Sequence, residues 1–272
     1  MLATIFGHKG FIGSNLHFYL ASQNWDCYLP ERNARWEPIK NNLGHIFYCA
    51  GTTNDFFKKI NDTIDAHIVL LLNVIQKSSF ESLTYVSSTR LYDQSPQKNI
   101  DLEEINYKIK YFENNAIFDL SKLLGESICF QIGNPTVRVV RVSNVYSDRQ
   151  PLDGFIGKLF SFVNQEEFNV LRIKGSPKDY RDYLHIDDLI PTMVKIALSG
   201  ESRLYNVASG TNTLNLEIAT LIEERYQKKV DFFEKEKTNY FADIIDISNT
   251  VKEFDFRPRS FLPTFEKFID SR

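Results

Sequence analysis

The sequence predicts an α/β protein: a doubly wound parallel sheet carrying a smaller C-terminal lobe. Two observations predict it. Strand and helix signals alternate from the N-terminus to about Tyr146, and strands separated by helical crossovers imply parallel pairing with helices on both faces. Beyond Tyr146 the pattern changes to loops, short strands and amphipathic helices.

The elements follow in order. Leu2–Phe6 is a short buried strand, followed by glycines and an apolar-periodic helix from about Ser14 to Ser22. Asp26–Leu29 is a second strand, and His45–Ala50 a third that ends at Gly51. A helix runs from roughly Asp62 to Lys77, and Leu83–Ser87 forms the next strand. The helix around Phe118 to Ile132 leads into the strand Thr136–Val142. Right-handed crossovers then make the sheet Rossmann-like. In the later region Asn169–Arg172 and Leu204–Val207 read as strands, and 187–198 and 215–226 as helices. They are expected to pack as a lobe over the carboxyl ends of the strands. The expected division is 1–146 for the sheet domain and 147–272 for the lobe, joined in one compact unit without repeats or a low-complexity linker.

Composition narrows the function. The 272 residues can bury a sizeable core. A net charge of −3 and a pI near 6.0 give no basis for a nucleic-acid or anionic-membrane partner. Cys27, Cys49 and Cys129 lie far apart in sequence, without CxxC spacing or a disulfide framework, which predicts a reducing cytoplasm. The opening residues lack a basic, apolar leader, and the densest apolar run, Ile64 to Ile75, is interrupted by Asp65 and His67 and too short for a bilayer. That run and much of 118–132 are apolar nearly all round. A surface helix shows one polar face, so the pair predicts a second burial partner and hence a homodimer.

The first chemical motif is Gly7-His-Lys-Gly10-Phe-Ile-Gly13, which follows a strand and opens a helix. Glycines there allow a tight turn and close approach of a pyrophosphate, whose charge the helix N-terminus stabilises. An acid about 20 residues further on takes the ribose hydroxyls of NAD, whereas arginine suits the phosphate of NADP. The chain has Glu31 and Arg32 at that place with Arg35 nearby, and the two arginines tilt the expectation towards NADP over NAD. The five histidines, at 8, 17, 45, 67 and 185, form no metal-binding spacing, so no metal is expected. No G-x-S-x-G elbow of a serine hydrolase is present.

Six motifs then occur in order: GHKGFIG, YCAG at 48–51, VSSTRLY at 86–92, SKLLGE at 121–126, RVSNVY at 141–146 and RDYLHIDDL at 181–189. Together they resemble the extended short-chain dehydrogenase/reductase family, the NAD-dependent epimerase/dehydratase group that works on nucleotide sugars. The resemblance implies that Gly7, Gly10, Phe11, Ile12, Gly13, Glu31, Arg32, Ala50, Gly51 and Lys122 surround the dinucleotide. It implies that Asn144 and Arg181 hold the diphosphate of a nucleotide-diphosphate sugar, a task that suits the planar fork of arginine. His185 is expected to support that loop.

The same resemblance assigns a catalytic set. Ser88 matches the serine that hydrogen-bonds the reacting sugar oxygen, and Lys122 the lysine that binds the nicotinamide ribose and lowers the pKa of a tyrosine. The tyrosine position holds Phe118. Phenylalanine fills the space of a phenol but exchanges no proton, and a general acid–base group is worth about 10²- to 10⁴-fold in rate. Three readings stand: an introduced Tyr→Phe change, a natural enzyme using another proton donor (with Tyr92, Tyr107 and Tyr111 as candidates), or a non-catalytic binder.

Thr89 and Arg90 follow Ser88, where the 4,6-dehydratases carry Asp and Glu. The decarboxylases carry Glu, and GDP-fucose synthase Cys, at the place of Arg90. What remains is hydride transfer at C4 of the hexose, as 4-keto reduction or 4-epimerisation. Arg90 suits an acidic substituent of the substrate, or else an ion pair at the pocket edge. Only the thirteen residues from Arg32 to Gly44 lie between Glu31, just past the second strand, and His45. The family usually fits another strand and helix there, so a more open adenine pocket and an exchangeable cofactor are expected. That favours a 4-ketoreductase, with surface-polysaccharide or deoxysugar synthesis as the implied setting.

Overall fold

A computed structural model describes residues 1–31, 42–52, 58–94, 109, 111–113, 116–148, 154–233 and 244–270. β1 (Leu2–Phe6) turns through glycines into α1 (Phe11–Ser22), and β2 (Asp26–Tyr28) and β3 (His45–Tyr48) follow. The next helical stretch is broken: α2 (Ile60–Ile64), a π-helical turn (Asp65–Val69) and α3 (Leu70–Lys77) run end to end. β4 (Ser82–Ser88) passes into a 3-10 turn (Thr89–Gln94), and α4 (Ala116–Gln131) leads to β5 (Val137–Val142).

The remaining elements are β6 (Asn144–Tyr146), α5 (Phe155–Val163), β7 (Val170–Ile173), β8 (Tyr180–His185), α6 (Ile186–Ser199) and β9 (Leu204–Val207). β10 (Asn212–Leu214), α7 (Asn215–Tyr226), β11 (Lys229–Phe232), α8 (Ser248–Phe254) and α9 (Phe261–Asp270) complete the described chain.

The main sheet has six strands in the order β2-β1-β3-β4-β5-β9, all paired in parallel. The order reverses between β1 and β3. In open α/β sheets ligands bind outside the carboxyl ends of the strands at such a switch point, which here is where Gly7 and Ala50 lie.

Each face of the sheet buries its own cluster. Ala3, Ile5, Val140 and Tyr205 pack with Leu16 and Leu20 of α1 and Met193 of α6. On the opposite face Phe6, Ile46, Tyr48, Leu83 and Tyr85 pack with Leu71 and Val74 of α3 and Cys129 of α4. Each large apolar side chain buried this way contributes about 1.5–3 kcal/mol.

One expectation is corrected. Leu204–Val207 does not belong to the lobe: β9 pairs with β5 as the sixth strand of the main sheet, and α6 packs on the same face as α1. The chain therefore returns to the sheet after entering the lobe. Around that excursion β10, β8 and β6 form a three-stranded sheet and β11 and β7 a two-stranded one. Their core joins Tyr146, Phe160, Tyr183, Ile222 and Phe265.

A buried ion pair ties these parts together. Glu126 of α4 accepts from the Arg141 Nε at 2.9 Å and Nη2 at 2.5 Å, and from the Ser87 hydroxyl. Arg141 also donates to the Tyr92 hydroxyl at 3.0 Å, which itself donates to Asn206 Oδ1 at 2.6 Å. Breaking one side of such a pair strands a buried charge, at about 3–5 kcal/mol, whereas a packed apolar replacement of both is often neutral. Glu126→Gln is therefore expected to lower unfolding free energy by about that amount, and Glu126→Leu/Arg141→Met to recover most of it. Denaturant unfolding of the three proteins checks this.

Candidate active site

The glycine loop is shaped by contacts that exclude side chains. Gly7 has φ +83°, and a β-carbon on it would lie 2.7 Å from the backbone of Cys49 and Ala50. A β-carbon on Gly13 would lie 2.2 Å from the Gly7 carbonyl oxygen. Gly10 caps α1 without a side chain, and its N–H donates to Gly7 O at 2.9 Å. The first turn of α1, with Phe11 and Ile12, carries no acidic residue. A cradle that a methyl group would fill, at the open N-terminus of a helix, fits a pyrophosphate. NAD(P) is the group these residues would hold.

Glu31 stands past the end of β2. It accepts from Lys9 Nζ at 2.6 Å, with His8 Nε2 at 3.9 Å, and the Lys9 hydrogen bond pulls its carboxyl below the usual range. Arg32 and Arg35 lie outside the described residues.

Ala50 and Gly51 continue β3 to the switch point. A β-carbon on Gly51 would meet His67 Nε2 at 2.8 Å and Lys122 Nζ at 3.6 Å, so these two side chains converge there. Lys122 donates to Val86 O at 2.8 Å and sits 4.9 Å from the Tyr85 ring centroid. Burial pulls its ammonium down to about 8, against the opposing charge of Glu126 one helical turn away.

His67 is fully buried. The π-helical turn brings it beside three segments. Thr52 N donates to Nε2 at 3.4 Å, so the proton is on Nδ1, which donates to Ser121 Oγ at 2.7 Å. Ser121 donates in turn to the Phe118 carbonyl at 2.9 Å. Desolvation pushes the imidazole down to about 2, with Lys122 adding to the effect.

Phe118 is buried between two groups. The His67 ring meets it edge-on, with centroids 5.6 Å apart. The Arg90 guanidinium lies over it at 5.4 Å from the centroid and forms an ion pair with buried Asp119 at 3.3 Å. An ion pair, one of the two roles expected of Arg90, is thus present. Ser88 closes β4, and its Oγ accepts the Arg90 N–H at 3.2 Å. Thr89 beside it is buried.

Asn144 and Arg181 sit on adjacent strands of the small sheet. Asn144 is in register with Tyr183, two residues beyond Arg181. The Asn144 amide donates to Asp182 O at 2.9 Å and the residue is otherwise exposed. Val142, two residues before it, is the register partner of Ser88, so β5 delivers Asn144 next to the Ser88 end of β4. His185 caps α6, accepting from Asp187 N at 3.2 Å.

Two of the candidate proton donors lie within the described residues. The Tyr92 hydroxyl is engaged by Asn206 and Arg141 in the buried network, and Tyr111 is 70% exposed. Tyr107 lies outside the described residues. Asp119 and the bridging geometry of His67 were missed in the sequence, because neither belongs to a spaced motif. No group of metal-ligating side chains occurs among the described residues, and no described helix is long and apolar enough to cross a membrane.

Parallel strands, a side-chain-free loop at a helix N-terminus and a lysine converging on the switch point define a dinucleotide-binding α/β protein. Comparison makes this specific. Residues 3–208 match the NAD dependent epimerase/dehydratase family, and the chain belongs to that family. It is 28% identical over 235 residues to dTDP-4-dehydro-6-deoxyglucose reductase of Escherichia coli, covering 80% of this chain and 71% of that protein. It is 23% identical over 266 residues to dTDP-D-glucose 4,6-dehydratase of Dictyostelium discoideum, covering 80% of this chain and 60% of that protein. Among solved structures, MoeE5 in complex with UDP-glucose and NAD superposes with a TM-score of 0.80 at 16% identity, covering 99% and 98% of the two chains. RMD from Pseudomonas aeruginosa complexed with NADPH gives 0.77 at 19% identity, covering 99% of both.

The buried imidazole makes a test of the site's integrity. Its ordinary value is 6.5 and its folded value about 2, so between these the unfolded chain binds a proton that the folded chain refuses. Stability is full above pH 6.5 and falls as pH drops towards 2, by about 1.4 kcal/mol per pH unit for this one group. Relative to native protein, His67→Gln is expected to flatten the acid limb of a stability–pH curve by that slope.

Proposed function

We propose that the chain is an NAD(P)-dependent reductase acting at C4 of a nucleotide-activated 4-ketohexose. One observation carries the reading. Ser88 ends β4 and Lys122 converges on Gly51 at the switch point, yet the positions after Ser88 hold Thr89 and Arg90, with neither the carboxylates for elimination nor a thiol for carbon epimerisation. Hydride transfer at one carbon is the chemistry left, and the name of the Escherichia coli relative supports reduction.

Bound nicotinamide would supply the hydride. Lys122 would hold its ribose, Ser88 would donate to the sugar oxygen, and Asn144 with Arg181 would take the diphosphate. NADP is preferred to NAD, because Lys9 pairs with Glu31 and offsets its charge, and because Arg32 and Arg35 follow in the sequence. The cysteine pattern suits a cytoplasmic setting. A homodimer is proposed through the face carrying exposed Val69, Leu120 and Leu124. Native protein is then expected to sediment as a dimer and Leu124→Arg as a monomer.

The buried setting of Phe118 keeps the disarmed-enzyme reading alive, since tyrosine adds one oxygen to the same ring. The test offers NADPH, NADH and a panel of nucleotide 4-ketohexoses and hexoses to native protein and Phe118→Tyr. The expected outcome is nicotinamide oxidation with a 4-hydroxy sugar product in at least the Phe118→Tyr form. If neither form turns over any nucleotide sugar that it binds, the catalytic reading falls and a non-catalytic binder replaces it.

A further inference from the structure

One side chain meets two others at the position of the missing phenol. Arg90 lies over the Phe118 ring at 5.4 Å, and buried Asp119, the next residue on α4, pairs with Arg90 Nε at 3.3 Å. The 3-10 turn that begins immediately after Ser88 fixes this arrangement, because it folds Arg90 back onto the first turn of α4. The guanidinium is therefore held from two sides, by a ring face and by a carboxylate, and its side chain remains 32% exposed. The Arg90 N–H donates to Ser88 Oγ. That leaves the Ser88 hydroxyl proton to point elsewhere, and no acceptor for it occurs among the described residues.

From this geometry we infer that Arg90 is a catalytic residue, whose guanidinium holds the reacting sugar oxygen in place of the phenol absent at position 118. The inference rests on the reductase reading above. A bound dihydronicotinamide would be the reductant; as the hydride it would supply adds to the carbonyl carbon, the C=O π pair moves onto oxygen and an alkoxide develops. The guanidinium, a donor without acceptor capacity, stabilises that charge. The alkoxide then takes the Ser88 hydroxyl proton: the serine O–H bond breaks, the sugar O–H forms, and solvent water returns a proton to Ser88, releasing hydroxide that the bulk buffer neutralises. A donor held in place before charge develops is worth far more than one recruited from water, and removal of one such donor costs about 10²- to 10³-fold in rate. Asp119 acts as a positioning residue, orienting the fork without touching substrate.

The test pairs kinetics with a ligand-free measurement. In the native background, Arg90→Gln is expected to lower kcat for 4-keto reduction by about 10²- to 10³-fold with little change in KM. In the Phe118→Tyr background the same substitution should cost much less, because the phenol takes over. Arg90→Gln/Asp119→Asn, which leaves no buried carboxylate without its cation, should reproduce the kinetic loss while retaining the fold by circular dichroism.

Independently of any ligand, ultraviolet difference titration of Phe118→Tyr against its Phe118 parent reads the new phenol. Arg90→Gln should raise its midpoint by about 1–3 pH units, because a cation within about 6 Å favours phenolate. An unmoved midpoint overturns the placement of the guanidinium. Native protein that is inert while Phe118→Tyr is active overturns the inference and leaves the reductase reading standing. A loss confined to KM for acidic sugars also overturns it, by making Arg90 a carboxylate binder.

Discussion

The pair formed by Glu126 and Arg141 is the interaction on which the rest of the structure depends. Both side chains are nearly out of water, where an unpaired charge costs several kcal/mol. The chain therefore has to bring α4 and β5 into one alignment before either can be buried. That alignment propagates. Ser87, which also donates to Glu126, fixes the end of β4 and hence the direction of Ser88. Tyr92, held by Arg141 and Asn206, anchors the 3-10 turn that presents Thr89 and Arg90. Lys122 lies one turn from Glu126 on the same helix. A requirement of burial energetics is thus also what aims the polar groups at the switch point.

Desolvation then sets the electrostatics. Lys122 and His67 converge on Gly51, and burial pushes both towards their neutral forms. They respond differently because their surroundings differ. Lys122 has the Val86 carbonyl and the field of Glu126 to keep its charge favourable near neutrality. His67 has an N–H donor on Nε2 and the Lys122 cation nearby, both of which oppose a second proton. The imidazole is a fixed, neutral hydrogen-bond bridge. Its chain of donors runs in one direction, from Thr52 through Ser121 to the Phe118 carbonyl, so the backbone at position 118 is held as firmly as its ring.

Much of this was legible in the sequence, and the boundary of legibility is physical. Leu2–Phe6, the glycines and α1 could be read because apolar periodicity and the steric demands of Gly7 and Gly13 are local properties. The sheet strands could be read for the same reason. β9 was misplaced because a four-residue apolar strand carries no signal of which sheet it will join; its pairing with β5 is decided by α6 crossing back over the sheet. The helix from Asp62 to Lys77 was read as continuous, because a π-helical turn changes hydrogen bonding without changing composition. That turn is what aims His67. The contact between Arg90 and Asp119 spans 29 positions of the chain and depends on a 3-10 turn folding back, which no periodic pattern encodes.

Residue 118 shows how substitution and surroundings have to be judged together. A phenol beside a buried lysine works because its proton is labile near neutral pH. Phenylalanine preserves packing against His67 and keeps the apolar face over which a guanidinium can lie. It also removes a hydroxyl that would need a partner whenever no ligand supplied one, and an unsatisfied buried hydroxyl costs about 1–3 kcal/mol. In the proposal made for Arg90, the pocket exchanges a titratable oxygen for a permanently charged donor. Under that proposal the two solutions meet the same demand, stabilising negative charge on a sugar oxygen, through different chemistry. They also differ in what they require of the fold: the phenol needs only α4, whereas the guanidinium needs α4 and the turn after β4 locked together, which is the alignment that the buried ion pair enforces.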